Sequence, residues 1–273
     1  KLLKIIIARF FASSIYTLQM EPCVSIVLPV YNAASTLSDA LHSISLQTLT
    51  KYELIIVDDG STDGSYELAL SATKGDPRIR VLRKDHSGLP LTLNIGVSEA
   101  RAQYIARMDA DDLMHPERLS HQVEYLDSHP ETDLVSCQVE LFPEHMVTDG
   151  FKRYFDWVHR SLTHDEIFFD LLRESPLPHP SVMFRSKVID RIGGYRDFDG
   201  PEDYDLWIRM AMAGMQFARL PETQLSWRVA DTSLSRSSGR YRAEAFRRLS
   251  WEFLLHYITR MISQLERSQP LYI

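Results

Sequence analysis

The chain has 273 residues, enough to bury a substantial core in one large domain or in one domain with a C-terminal extension. Lys and Arg total 30 against 37 Asp and Glu, so the formal charge of -7 argues against a protein whose main task is holding nucleic acid. The only cysteines are Cys23 and Cys137, with no CxxC pair and no Cys/His cluster, which excludes a disulfide framework or a structural zinc site and fits a reducing, cytoplasmic setting.

Residues 1–19 read as a separate apolar and basic segment. Leu2 to Tyr16 is apolar but carries Arg9 inside it and Lys1 and Lys4 around its start, so it is too short and too interrupted to span a bilayer. Three readings stand side by side: a helix lying on a membrane surface, a docking segment, or residues upstream of a start at Met20. Peripheral membrane contact is therefore an open expectation for the termini.

Val24 to Val30 is a continuous apolar run, as in a buried strand of a parallel sheet. Leu37, Leu41 and Ile44 then form one apolar helical stripe. Leu54 to Val57 is a second buried strand, stopped by Asp58-Asp59-Gly60-Ser61, with Thr62 or Asp63 placed to cap the next helix. Ile79 to Leu82, Leu89 to Ala100 and Tyr104 to Met108 continue as strand, helix and strand, the last running into Asp109-Ala110-Asp111-Asp112. This alternation predicts right-handed βαβ units and a Rossmann-like, mostly parallel sheet that binds ligands at the carboxyl ends of its strands. Pro116 opens another helix, with Leu119, Val123 and Leu126 on one face. From Phe142 to Pro180 the pattern predicts irregular structure around a helix near Asp165 to Leu172. A strand at Val182 to Arg185, a helix from Glu202 to Ala213, a strand at Gln224 to Val229 and a final helix near Arg240 to Met261 follow, the last with Phe246, Leu249, Phe253 and Tyr257 along one side. The domain plan is residues 20–230 as the catalytic domain and 231–273 as a helical extension.

Two carboxylates at the end of a strand, Asp109 and Asp111, can converge on a hard divalent cation such as Mg²⁺ or Mn²⁺, whose natural partner is a pyrophosphate. Asp112 could equally cap the helix near Pro116. The turn at Asp59 is either a capping loop or a reader of a nucleobase or ribose, and Tyr31 either packs or stacks on a base. Glu202 and Asp203 are either first-turn acids favoured by the helix dipole or a general base. Neither GxGxxG nor GxxxxGK[ST] occurs, so a dinucleotide fold or P-loop enzyme would lack its phosphate cradle.

Taken together, VSIVLPVYN at Val24 to Asn32, ELIIVDDGSTDGS at Glu53 to Ser65, NIGVSEARAQYIARMDADD at Asn94 to Asp112, HPSVMFR at His179 to Arg185, and GGY with PEDYDLWIRM between Gly193 and Met210 resemble the family 2 inverting glycosyltransferases. The resemblance covers roughly Val24 to Val229 and implies the α/β GT-A fold. It implies a nucleotide diphosphate sugar donor, with UDP-sugars favoured, and a glycan or lipid-linked acceptor in polysaccharide or cell-surface glycan synthesis. Asp111 would be the direct metal ligand, with Asp109 on ribose or on metal-bound water. Asp59, Tyr31 and the backbone near Pro29 would hold the nucleotide, Asp203 would be the catalytic base, and Glu202, Trp207 and His179 would lie near the sugars or leaving group. Many relatives carry Arg-x-His after the last core strand; here Arg228 is followed by Val229 and Ala230. Arg228 alone or His179 would then support the leaving group, or the metal would bind more weakly. The rivals are a sugar-phosphate nucleotidyltransferase, although Pro29 to Thr36 has no Gly, Lys or Arg, and a noncatalytic sugar-nucleotide-binding protein.

Overall fold

The computed structural model describes residues 21–230 and 241–268, so the expectations for residues 1–19 lie outside the described residues. The chain alternates β1 (Val24–Val30), α1 (Leu37–Ser45), β2 (Tyr52–Asp58), α2 (Ser65–Thr73), β3 (Ile79–Arg83), α3 (Leu89–Ser98) and β4 (Tyr104–Arg107). A short β5 (Leu113–Met114), α4 (Arg118–Ser128) and the long β6 (Thr132–Phe142) follow. Then come α5 (Asp149–Val158), α6 (His164–Asp170), β7 (Met183–Arg185), α7 (Lys187–Ile192), α8 (Glu202–Met212), β8 (Gln216–Arg228) and α9 (Ala243–Ser268).

The strands form one sheet in the order β3-β2-β1-β4-β7-β6-β8-β5. β1 to β4 are mutually parallel. β6 and β8 pair in parallel and run the same way as β4, because β7 is antiparallel to both β4 and β6. Only β7 and the edge strand β5 reverse. The carboxyl ends of the six co-directional strands therefore open on one rim, where a polar loop set can form a ligand crevice.

Alternation along the strands divides the core between the two faces of the sheet. Val24, Ile26, Leu28 and Val30 join one apolar cluster with Leu37, Leu119 and Leu126 from the helices. Val27 joins the other with Leu93, Leu206, Trp207, Leu249 and Phe253. Helix α3 lies so close to β1 that a Cβ on Gly96 would stand 2.4 Å from Val27 Cγ1, so only glycine fits.

The structure adds β5, β6 and α7, which the sequence reading did not expect, and corrects it in two further stretches. The region expected to be irregular holds a second helix, α5, capped by Thr148, whose side chain accepts a hydrogen bond from Phe151 N. Its Phe155 and Val158 are buried while the rest of its surface is polar or half-buried, so its signal is short and mixed. β8 begins eight residues before the predicted Gln224, because Pro221 and Glu222 sit in an irregularity of the β6–β8 register rather than at its start.

Candidate active site

The loops at the carboxyl ends of the strands surround a cleft of about 1160 Å³. Pro29, Tyr31, Asp59, Asp109, Asp111, His179, Glu202, Asp203 and Arg228 all line it; Trp207 does not.

At one end the loops after β1 and β2 are stitched together. Asn32 takes a positive φ of 49°, its N–H donates to Ser61 Oγ at 3.0 Å, and its side-chain oxygen accepts from Thr62 N at 2.9 Å. Asp63 does not cap α2 at its N-cap position, which Gly64 takes. Instead, Asp63 accepts from Ala34 N and Ser65 N. Asp59 accepts from Ser87 N and Gly88 N, both at 2.9 Å, and pairs with Lys84 and with His86 Nδ1. Burial alone would raise its pKa, but these hydrogen bonds outweigh it and hold Asp59 below the usual carboxylate range. Asp59 therefore folds the 84–88 loop over this end of the cleft. Gly60 (φ +76°) sits under that loop, where a Cβ would meet His86 N at 2.8 Å. The His86 ring lies on Tyr31 at 4.1 Å between centroids. Sequence reasoning missed His86 and Lys84, because a loop after a weak edge strand carries no local signal.

At the centre, Asp109, Asp111 and Asp112 place a carboxylate oxygen each within 4.8 Å of one another, the one such group among the described residues. Asp112 is not a helix cap: it is fully buried, and its Oδ1 accepts from Arg228 N at 2.8 Å. Its Oδ2 is buried with no hydrogen-bond partner. Burial and then the charge of Asp109 push Asp111 up to about 6, and burial with both neighbours pushes Asp112 well above the usual range. An all-oxygen donor set, crowded negative charge and an orphaned buried oxygen together fit a hard divalent cation. Asp109 is already engaged, paired with the buried Arg107. Arg228 Nε donates to the Asp111 carbonyl at 2.7 Å, and its guanidinium lies 3.5 Å from Asp39. Arg228 is thus a fixture of the acid turn and no isolated surface ion pair.

Opposite stands the first turn of α8. Glu202 is buried, accepts from Tyr241 OH at 2.8 Å, and lies 3.7 Å from His179 Nδ1. Asp203 Oδ1 accepts from Tyr204 N at 2.8 Å, and burial together with the neighbouring Glu202 charge raises Asp203 to about 7. That value suits a group that must take a proton near neutral pH.

Two expectations are revised. His179 is buried, shares a hydrogen bond of 2.9 Å with Tyr195 OH, and is held well below its ordinary pKa by burial and then by the Arg107 charge. An imidazole held toward its neutral form adds little positive charge to the cleft, and its ring packs beside Glu202 and against Trp207. Trp207 is 0 % exposed and packs edge-on against His179, so it supports the site from beneath and does not face a sugar. Ala230 lines the cleft after Arg228, leaving the arginine as the cation nearest the acid turn on this strand. Sequence reasoning also missed Arg107, Tyr154, Trp227 and Tyr241, which complete the walls and floor.

A parallel-sheet rim that brings a carboxylate triad and a second acidic pair to one cleft defines the GT-A class of glycosyltransferases. The chain matches the family model of Glycosyl transferase family 2 over residues 25–193, and it belongs to that family. It is 31% identical over 225 residues to EpsE of Bacillus subtilis, covering 81% of this chain and 78% of EpsE. It is 30% identical over 220 residues to the amylovoran biosynthesis glycosyltransferase AmsE of Erwinia amylovora, covering 79% of each. Its fold is similar to S. aureus TarS in complex with UDP-GlcNAc (TM-score 0.65, 16% identity, 79% of this chain and 61% of that one). It is also similar to the mannosyltransferase PcManGT of Pyrobaculum calidifontis in complex with GDP-Man and Mn²⁺ (TM-score 0.61, 22% identity, 78% and 59%). The chain thus spans about three fifths of these solved chains. Family membership goes against the nucleotidyltransferase alternative. Among the described residues, no helix is long and apolar enough to cross a membrane.

Proposed function

We propose that the protein transfers a sugar from a nucleotide diphosphate sugar, a UDP-sugar by preference, to a hydroxyl of a glycan or lipid-linked acceptor, with inversion. The observation that carries this reading is the convergence of Asp109 and Asp111, backed by the buried Asp112, and of the Glu202–Asp203 pair on one cleft. The relative AmsE, a glycosyltransferase of amylovoran biosynthesis, supports a place in polysaccharide synthesis. The donor class draws support from the nucleotide sugars bound by the two structural neighbours.

In this reading Asp203 accepts the proton of the acceptor hydroxyl as its oxygen bonds to the anomeric carbon, and the bond from that carbon to the diphosphate oxygen breaks. One displacement on the face opposite the leaving group inverts the centre. Asp111, with Asp112 and Asp109 beside it, would hold Mg²⁺ or Mn²⁺, which when bound supplies positive charge to the departing diphosphate. Arg228 adds a fixed cation beside that turn, and Arg107 keeps Asp109 in place. Tyr31, His86 and the loop folded by Asp59 form the nucleobase end, with the Pro29 backbone beneath.

The test is a screen of UDP-, GDP- and dTDP-sugars for thermal stabilisation and slow donor hydrolysis, each with and without Mn²⁺. A ligand at a hundred times its dissociation constant stabilises the fold by about 2.7 kcal/mol. Stabilisation by at least one of them, larger with metal, is expected; no response to any nucleotide sugar would remove the donor assignment.

A further inference from the structure

Helix α9 carries two apolar faces, and the fold uses one of them. Ala245, Leu249 and Phe253 are buried, with Phe253 and Tyr257 edge-on to Phe168 and Phe246 stacked on Tyr204. On the other face Trp251, Leu255, Ile258 and Ile262 are 62%, 60%, 43% and 50% exposed. Their spacing of four, three and four residues is that of a coiled-coil seam, and Leu265 falls next in the same spacing along the sequence. Scattered exposed apolar residues need no explanation, but a contiguous stripe along one helix does. The helix is 26 residues long, about 39 Å at the standard rise, and most of its side chains beyond Phe253 are exposed.

We propose that this stripe is a dimerisation seam that pairs with the same helix of a second copy, in parallel. Charge decides both the occupant and the direction. With Trp251, Ile258 and Leu265 at d positions and Leu255 and Ile262 at a positions, Arg247 falls at g and Glu252 and Glu266 at e. In a parallel pair, Arg247 faces Glu252 of the second copy five residues on, and the reverse contact repeats by symmetry. In an antiparallel pair g positions meet g positions and e positions meet e positions, so Arg247 and Glu252 lose each other as partners. The pair that Arg247 makes within its own helix, 3.2 Å from Glu244, is solvent-exposed and weakly held, so it yields readily. The described positions flanking the stripe carry one Arg and one Glu, a complementary pair and not the single-sign basic face that an anionic bilayer favours. At the base of the seam Arg248 is tied down to the Asp199 carbonyl at 2.7 Å, which ends the apolar stripe beside the catalytic domain. A two-fold axis along α9 would set two catalytic domains side by side, with neither cleft covered by the seam.

Sedimentation velocity of the full chain across a wide dilution series tests it. A concentration-dependent species of twice the chain mass is expected, and Ile258→Glu with Ile262→Glu should leave only monomer. Those positions are exposed, so unchanged helicity and melting of the variant serve as the folding control. Arg247→Glu should weaken the dimer by up to about tenfold, and adding Glu252→Arg should restore it. A parental chain that stays monomeric at every concentration, or a dimer that survives both glutamates, overturns the seam. A monomeric parent that floats with anionic vesicles, and loses that in the double variant, overturns it in favour of a lipid surface. Indifference of a dimer to Arg247→Glu overturns the parallel arrangement.

Discussion

Arg107 and Asp109 form an ion pair across the floor of the cleft, with the guanidinium 3% exposed and the carboxylate 28%. Arg107 is the last residue of β4 and Asp109 lies two residues beyond it, so the chain leaving the strand brings the two groups together. The consequence extends past the pair. Arg107 spends its charge on Asp109, and what remains depresses His179 and opposes the rise of Asp203. One buried cation thereby links the Asp109–Asp112 turn to the Glu202–Asp203 turn.

Arg107→Met should cost about 3 kcal/mol, the low end for breaking a buried ion pair, because Asp109 keeps some contact with water. Urea denaturation gives the number. A midpoint equal to the parent's would mean that the pair contributes nothing to the fold, and a normal Mn²⁺ response in that variant would remove Arg107 from the support of the acid turn.

Asp111→Asn should raise the metal-free melting temperature while abolishing both transfer and stabilisation by Mn²⁺. The sign follows from the raised pKa of about 6. The folded state takes up a proton that the unfolded chain, with an ordinary aspartate, does not. Stability from this group therefore falls as pH rises from about 4 to about 6 and stays low above that. Removing the charge lifts that penalty. Scanning calorimetry at neutral pH, with and without Mn²⁺, decides; a variant less stable than the metal-free parent would show that the triad is not under repulsive strain.

Most of the fold was legible because buried parallel strands are continuous apolar runs; Val24 to Val30 and the helix at Leu37 need no tertiary information to be found. The acidic turns were legible for the same reason, since polar clusters stand out at the ends of such runs. Their allocation was not. That Asp109 is paired with the buried Arg107, that Asp112 turns inward to the Arg228 backbone 116 residues on, and that His179 and Trp207 pack together beneath the acidic pair all depend on tertiary packing that no local pattern encodes. Helix α5 escaped because only Phe155 and Val158 are buried along it, while Phe151 and Tyr154 are shared between the cleft wall and the edge of the core.

The activity of the free enzyme should fall about tenfold per pH unit below about 7, as Asp203 becomes protonated. Glu202→Gln removes the neighbouring negative charge that helps to raise Asp203, yet can still accept from Tyr241. Its acidic limb should therefore move to lower pH. The kcat/KM profile of the two enzymes is the measurement; limbs that coincide would show that Glu202 does not set the proton affinity of Asp203.

Asp203 and Asp205 share the first turn of α8, and their surroundings separate them. Asp203 lines the cleft and accepts one backbone hydrogen bond, from Tyr204 N. Asp205 is buried away from it, 2.7 Å from Arg209 Nε and 3.6 Å from Arg196, while Arg209 reaches on to the carbonyls of Ile192 and Gly194. Asp203→Asn keeps the shape and removes the proton acceptor, so transfer should fall by about 10²–10⁴-fold with donor affinity hardly changed. Asp205→Asn should do the reverse. It loses charge opposite two arginines, one nearly buried, so it should lower stability by about 1–3 kcal/mol and leave turnover of the folded enzyme close to parental. Turnover at saturating donor and the denaturation midpoint, measured on both variants, separate the roles. Near-parental turnover in Asp203→Asn would reject it as the base, and a collapse of turnover in a fully folded Asp205→Asn would move the role two residues along the helix.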